Sequence, residues 1–472
     1  MATTEKIAEF VVQTRFEVIP ERAVELAKRA ALDCLAAALA GCAEPTSQNL
    51  MSFARKLGGK PESAVVGGGF RTGVLDAALV NGSIANAQDY NDCGVKAGHP
   101  SVAVLPAVLA LADKRRATGQ DVLTAYILGL EVQGKVGLRL DYKQAEHPLN
   151  NMSFLGSLGA AAATAKILNL DVLQTRIAMG IATNLASGLR ANHGTMMAPM
   201  MSAGNTNRAG VLAALMAQQG ITASPDIIEA KNGLCDTLAG RGTYNLEGLA
   251  KELGNPFYVV SPGIGLKTHA VCYHTERAVS AVLQIMAEHH LTYDDVLEAD
   301  VGTSEAVLHV LAFQEPADSY QGRFSMPYVI GCALLDGKVT LESFTEKKFK
   351  DPKVKEARKK VRLSFPDLPI WPGLMDVRPD SKFVGNPVTV RTRDGRSYTG
   401  RVDIPRGDPA LPLSDEELLA KFADCAKFTL SSEETRRVSK LILDLDKLSD
   451  VREVMDILMK PGKVKEAVGS TG

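Results

Sequence analysis

The stretch Asp89-Tyr-Asn-Asp-Cys-Gly-Val-Lys-Ala-Gly-His-Pro-Ser101 carries two aspartates, a lysine and a histidine, and leads straight into the apolar run Val102–Ala112. A polar loop feeding a buried helix sets ionisable groups against an apolar wall that perturbs them. Ser101 is placed to cap that helix, and His99 then stands just outside its positive end, where anions are favoured. His99 has two readings: an imidazole that moves a proton, or a residue that merely caps the helix.

Four further polar segments lie beside glycine or proline. They are Glu146-His147-Pro148-Leu149-Asn150-Asn151, Ser187–Met196 with Arg190, Asn192 and His193, Gly265–Tyr273 with Lys267 and His269, and, more weakly, Gly322–Tyr328 with Arg323. If they converge, the pocket holds imidazole, carboxylate, ammonium and guanidinium groups. Arginine clasps a carboxylate bidentately and lysine adds a point charge. A histidine near its ordinary pKa moves a proton at neutral pH. The chemistry implied is proton transfer at a carbon beside a carboxylate, followed by loss of a group or reprotonation. At each position an ordinary role competes: a surface arginine at 190, a loop lysine at 267, loop histidines at 193, 269 and 274.

Helices must position these segments. Pro20–Ala40 has Val24, Ala27, Ala31, Leu32, Leu35 and Leu39 at helical spacing, with Pro20 suited to the first turn and Gly41 to the stop. Further helices are predicted over 47–57, 74–88, 102–115, 121–140, 154–168, 172–186 and 209–219. Pro106 is expected to kink the helix over 102–115. Gly156, Gly159 and the alanines beside them predict a central helix in close contact with its neighbours. After about residue 265 the pattern becomes mixed. Helices are expected over 278–287 and 329–335, and a solvated one over 347–360. Strands are expected over 63–66, 300–302, 360–365, 388–392 and 397–403, the last two joined by the hairpin signal Arg393-Asp394-Gly395-Arg396. Ser414 with Glu417 has capping-box spacing. The expected fold is mainly α with a smaller α+β domain: residues 1–265 form the first part of a helical domain, 266–409 an inserted α+β domain, and 410–472 helices that pack back on the first.

Composition excludes several classes. The chain of 472 residues has 53 basic and 54 acidic residues, so nothing marks a nucleic-acid or membrane-surface protein. Seven cysteines, none in a Cys-x-x-Cys pair, argue against a disulfide framework, structural zinc or an Fe–S cradle. No His-Glu-x-x-His or Gly-x-Ser-x-Gly is present, and the glycines at 67–69 lack a following Gly-Lys-Ser/Thr. There is no signal-peptide pattern and no bilayer-length apolar run, so the chain is expected to be soluble and cytoplasmic.

The order and wording of five blocks resemble the MmgE/PrpD family, which includes 2-methylcitrate dehydratases, cis-aconitate decarboxylases and iminodisuccinate epimerases. The blocks are Asp89-Tyr-Asn-Asp with His99-Pro-Ser-Val-Ala-Val-Leu-Pro-Ala107, Gly156-Ser-Leu-Gly-Ala-Ala-Ala-Ala163, Ser187-Gly-Leu-Arg-Ala-Asn-His-Gly-Thr-Met196, Arg208-Ala-Gly-Val-Leu-Ala-Ala-Leu215, and Phe324-Ser-Met-Pro-Tyr328 through Ala333-Leu-Leu-Asp-Gly337. The resemblance implies a helical large domain, an α+β lid domain, a homodimer and no cofactor, and the lack of a ligand-spaced Cys/His cluster leads to the expectation that no metal is needed. Asp89, His99, Lys267 and Tyr328 match positions implicated in the family's active site, and Arg190 falls in the block beside it. The chain also departs from the pattern. Asn150 stands where a histidine is usual, with His147 one turn earlier. Met197-Ala-Pro-Met-Met-Ser-Ala-Gly204 lacks a usual lysine and histidine, Arg323 replaces a lysine, and Cys93 stands where decarboxylases commonly have threonine.

The leading expectation is a cofactor-independent hydratase/dehydratase acting on a small hydroxy-carboxylate that is less anionic than a tricarboxylate. His99 moves the α-proton, Asp89 orients the imidazole, and Lys267 and Arg190 hold carboxylate oxygens. Asn150, His147 and Arg323 complete the substrate-binding set, and Tyr328 joins the catalytic one. An isomerase or epimerase, a decarboxylase, and a non-catalytic relative that binds a ligand are the alternatives.

Overall fold

The structure is a computed structural model that describes residues 2–141, 147–371 and 382–462. Helices of seven residues or more are numbered here. The first nine are α1 Thr3–Gln13, α2 Glu21–Gly41, α3 Pro45–Leu57, α4 Val74–Asn86, α5 Pro100–Arg115, α6 Gly119–Gly137, α7 Asn151–Ile167, α8 Val172–Leu185 and α9 Asn205–Gln218. The fold is mainly α with a smaller α+β part. α5, α6, α7 and α9 pack on one another at its centre, with α2 and α4 alongside. Leu105, Tyr126, Leu128, Leu155, Ala161 and Val211 are among the side chains withdrawn from solvent there.

The close approach predicted from Gly156 and Gly159 is present. A Cβ on Gly159 would lie 2.6 Å from the carbonyl of Gly129 in α6, and one on Gly129 would lie 2.9 Å from that of Gly159. Gly41 differs from its expectation. It lies inside α2, whose next residue, Cys42, is still right-handed. Glycine is required because a Cβ would fall 1.9 Å from the carbonyl of Ile84 in α4. Pro20 precedes α2 as its N-cap instead of entering the first turn.

Pro106 interrupts nothing: α5 runs through it from Pro100 to Arg115. Proline removes the N–H that the carbonyl of Val102 needs. The buried amide of Asn207, in α9, fills that gap. Its Nδ2 donates to Val102 O at 2.7 Å, and its Oδ1 accepts from the N–H of Ala107 at 2.8 Å. Asn207→Ala is therefore expected to orphan two buried backbone groups and lower stability by roughly 1–3 kcal/mol. An unchanged denaturant midpoint and slope would show that the amide is dispensable.

Of the strands, β1 Ser63–Ala64 pairs with β2 Arg71–Thr72 and β3 Cys93–Gly94 with β4 Ile264–Gly265, and the α+β part holds a sheet of order β6-β5-β7-β8, from β5 Val296–Gly302, β6 Val361–Ser364, β7 Val388–Thr392 and β8 Ser397–Gly400. β5 pairs with β6 in parallel and with β7 antiparallel. β7 and β8 form the expected hairpin, with Arg391 opposite Ser397. β8 ends at Gly400, short of the predicted Asp403. α10 Glu276–Glu288 packs on β7, β8 and α11 Met326–Asp336. The helix expected over 347–360 is broken by Pro352 into Glu346–Lys350 and α12 Pro352–Lys359. α13 Asp415–Ala426 and α14 Ser432–Leu443 lie on α2, and α15 Arg452–Leu458 touches α5. Ser414 caps α13 through the predicted box with Glu417. α1 was not anticipated.

Candidate active site

Two strands of two residues each assemble the site. β3, Cys93–Gly94, pairs antiparallel with β4, Ile264–Gly265, placing Cys93 opposite Gly265. This brings the loop carrying Asp89 and His99 against the segment carrying Lys267. The loop folds back on itself: Gly94 N–H donates to Gly98 O at 2.8 Å, and Gly98 has φ +70°. Asp89 is also left-handed, with φ +48°, an uncommon conformation for a residue bearing a side chain.

His99 occupies the N-cap position of α5, but its side chain makes no cap bond. The carboxylate of Asp92 accepts the Ser101 N–H instead, at 3.3 Å to either oxygen. Ser101 is not the cap that its position suggested. Pro100 takes the first helical position, so Ser101 lies inside the helix with its hydroxyl donating to Asp92 and touching Tyr126. Burial lifts the Asp92 carboxyl to about 7.

The imidazole is therefore available for another task. Its Nδ1 lies 2.7 Å from the carbonyl of Asp92 and 3.5 Å from Cys93 Sγ. A carbonyl only accepts, so Nδ1 carries the proton and the neutral ring has its lone pair on Nε2. Nε2 lies 3.3 Å from Asp89 Oδ1. Asp89 was expected to orient the imidazole. Instead a backbone carbonyl holds Nδ1, and Asp89 stands beside the nitrogen that remains. Burial, reinforced by Lys267, lowers the imidazole pKa against the pull of Asp89.

A cavity of about 180 Å³ opens in front of these groups. Of the predicted residues, Asp89, His99, Asn150 and Arg190 line it. Asn150 caps α7, its Oδ1 accepting from Met152 N–H at 3.1 Å. Arg190 Nη2 reaches the carbonyl of His309 at 3.4 Å.

The other four do not line the cavity. Lys267 is fully buried behind Asp89, its Nζ donating to the Asp89 carbonyl and 3.1 Å from Asp89 Oδ1. Burial disfavours its ammonium, but Asp89 together with the sulfurs of Cys93 and Cys272 outweighs that and raises its pKa. Lys267 thus meets Asp89, not a ligand carboxylate. Tyr328 is turned into α11's own packing, with its hydroxyl on Ser343 O at 2.7 Å and its ring against Phe344 and Phe349. Arg323 is buried with Nη2 on Gln88 and its guanidinium 4.6 Å from the Phe344 ring. His147 makes local contacts with Leu149. Glu146 lies outside the described residues.

The cavity also takes in residues outside the predicted site set: His193, His274, Tyr273 and Phe324, which lie in or directly after the polar segments, and Met152 and Tyr320. His274 follows a segment already singled out, so adjacency was its signal. Tyr320, on a single helical turn, had none. Burial drives the His274 pKa down to about 3, and lowers that of His193, whose Nε2 lies 2.8 Å from Val310 O. Among the described residues no group of three or more His, Cys, Asp or Glu is placed to hold a metal ion. No described helix is long and apolar enough to cross a membrane.

A buried ion pair ties the site to the C-terminal helices. Lys421 of α13 lies 2.6 Å from Asp33 Oδ1 of α2, and its Nζ also donates to Tyr90 O at 2.9 Å and Lys267 O at 2.8 Å. One ammonium thus joins the backbone next to Asp89 to that of Lys267.

Residues 5–247 match the MmgE/PrpD N-terminal domain and residues 269–447 the MmgE/PrpD C-terminal domain. Among curated proteins the chain is 28% identical to human cis-aconitate decarboxylase, over 99% of this chain and 96% of the relative. It is 26% identical to a cis-aconitate decarboxylase of Aspergillus terreus, over 98% and 96%. Against the mitochondrial 2-methylcitrate dehydratase of Yarrowia lipolytica it is 24% identical, over 70% and 65%.

Proposed function

The chain belongs to the MmgE/PrpD family, and from that premise we propose that it is a lyase acting on a small carboxylate, with His99 moving the proton on the carbon beside the carboxyl group. The observation that carries this reading is the His99 ring, fixed through Nδ1 by the Asp92 carbonyl, with Nε2 beside Asp89 and both residues lining the cavity. Similarity to relatives named as decarboxylases and a dehydratase supports the reaction class.

In dehydration, Arg190 receives the substrate carboxylate at the cavity wall. Nε2 takes the α-proton, and the electron pair left on carbon forms the double bond as the C–O bond breaks. The departing hydroxyl takes a proton back from the imidazolium and leaves as water, which restores the neutral ring. Asp89 stabilises the imidazolium formed in between, and Lys267 holds the Asp89 side chain from behind. The Nε2–Oδ1 separation of 3.3 Å, longer than a charge-assisted bond, suits a resting ring with no proton between them. No step calls on a cofactor.

Decarboxylation is the second reading, favoured by the names of the relatives that cover nearly the whole chain. There the C–C bond breaks, carbon dioxide leaves, and the imidazolium protonates the carbanion. Following conjugated double-bond absorbance and carbon dioxide release across a panel of small hydroxy- and unsaturated carboxylates separates the two. Neither signal with any member contradicts lyase chemistry. The chain is further proposed to work as a homodimer, which sedimentation at micromolar concentration tests.

The lowered His99 pKa fixes a direction for the pH profile. Protonation disables the base, and it occurs at lower pH than for an ordinary imidazole. Asp89 pulls the other way but is outweighed by burial and Lys267. The acid limb of kcat/KM is expected to fall below about pH 6.5, the unperturbed histidine value. A midpoint above that value would contradict the assignment.

A further inference from the structure

Behind the loop that ends at His99 lies a phenol that the proton transfer does not use. Tyr258 has no exposed surface. Its N–H donates to the carboxylate of Glu131 in α6, whose other oxygen accepts from Gly254 N–H at 2.7 Å. Its ring lies on α6 where Gly134 leaves room, since a Cβ there would fall 2.2 Å from a ring carbon. Its hydroxyl donates to Val95 O at 2.6 Å, one residue beyond β3. Its carbonyl accepts from Gly263 N–H at 3.1 Å, one residue before β4. A Cβ on Gly94 would lie 2.6 Å from the same hydroxyl, so β3 approaches the phenol as closely as a residue without a side chain allows. Burial pushes the phenol pKa well up, which keeps the hydroxyl a donor. The loop it holds turns at Lys96 and Gly98, both left-handed, and delivers His99.

Resting on the lyase reading, we propose that Tyr258 is a positioning residue for His99: it ties the 95–98 loop to α6 so that Nε2 stands beside Asp89. The one side chain joins a packed helix, the β3–β4 pair and the loop before the imidazole. Such a tie matters to rate because a misplacement of about 1 Å at a reacting group costs on the order of a hundredfold.

Tyr258→Phe deletes one oxygen and keeps the ring on Gly134. In protein with nitrogen-15-labelled histidine, the ring signals of His99 are assigned by their absence from His99→Asn. Tyr258→Phe should displace those signals and leave in place those of His289, which stacks on Tyr398 in the α+β part. On the carboxylate that the native enzyme turns over, kcat should fall roughly ten- to hundredfold with KM little changed, because Tyr258 is not among the residues lining the cavity. Gly94→Ala presses on the hydroxyl without deleting it, so it keeps the test in place if Tyr258→Phe fails to fold. It should give the same displacement and the same fall in kcat. Combined, the two substitutions act on one contact, and their effects should not multiply. Unmoved His99 signals, a displacement shared by His289, a native kcat, a rise in KM at unchanged kcat, or effects that multiply would each overturn the proposal. The lyase reading fails separately. Full turnover by His99→Asn contradicts that reading, while displaced ring signals in Tyr258→Phe still make Tyr258 the residue that places the imidazole.

Discussion

His99→Asn should lower turnover by roughly two to four orders of magnitude, the usual range for removing a general acid–base group, while leaving the melting temperature nearly unchanged. Asparagine keeps approximate size and can donate to the Asp92 carbonyl, which holds Nδ1 at 2.7 Å in the native protein. It has no titratable lone pair to place where Nε2 stands. The capping role that competes for His99 is already filled, because Asp92 accepts the Ser101 N–H of the first turn. Helix α5 therefore loses nothing when the ring is removed. Turnover and melting measured on the same preparation separate the roles. Intact turnover removes His99 from the chemistry. A large fall in melting temperature together with lost turnover marks it as structural.

Lys421→Met should destabilise the fold by about 3–5 kcal/mol, the range for breaking a buried ion pair from one side. Asp33 has no exposed surface, and in this variant its carboxylate would be left without the ammonium 2.6 Å away. Burial already raises the Asp33 pKa against the pull of Lys421. Without Lys421 it rises further, so the folded state binds a proton that the unfolded state does not. A carboxyl raised in this way favours folding at low pH and loses that contribution as pH rises through the folded-state pKa. The deficit of the variant relative to the native protein should accordingly be smaller in acid than at neutral pH. Asp33→Asn combined with Lys421→Met removes both charges and should recover much of the stability. Turnover should stay low in that double variant, because the carbonyls of Tyr90 and Lys267 still lack the donor that holds them together. Recovery of both would assign Lys421 to stability alone. A single variant as stable as the native protein would show that the pair is not needed.

Most of the central helices were legible because they present their apolar residues at a spacing that a helix satisfies. α2 is the clearest, with Val24, Ala27, Ala31, Leu32, Leu35 and Leu39 in the core. The fate of Pro106 was not legible, because the compensating amide comes from Asn207, whose sequence neighbourhood says nothing about Val102. The site was legible in its titratable residues and not in their orientation. Asp89, His99, Asn150 and Arg190 were found from polar segments beside glycine or proline, since loops of that composition carry chemistry. That Lys267 lies behind Asp89 follows from the pairing of Cys93 with Gly265, and two-residue strands have no periodicity to read. Tyr328 was taken from resemblance, and its hydroxyl is bound to Ser343 instead. Lys421 sits on an ordinary amphipathic helix, and nothing in its neighbours reveals a buried partner in α2.

Exchange of solvent deuterium into the carbon beside the carboxyl group, followed by proton NMR on the hydroxycarboxylate that the native enzyme turns over, tests the central claim most directly. The native protein should wash out that one proton signal at a rate that falls as His99 protonates, and His99→Asn should abolish the exchange while binding the same ligand. Equal exchange in the two proteins would contradict the role assigned to Nε2.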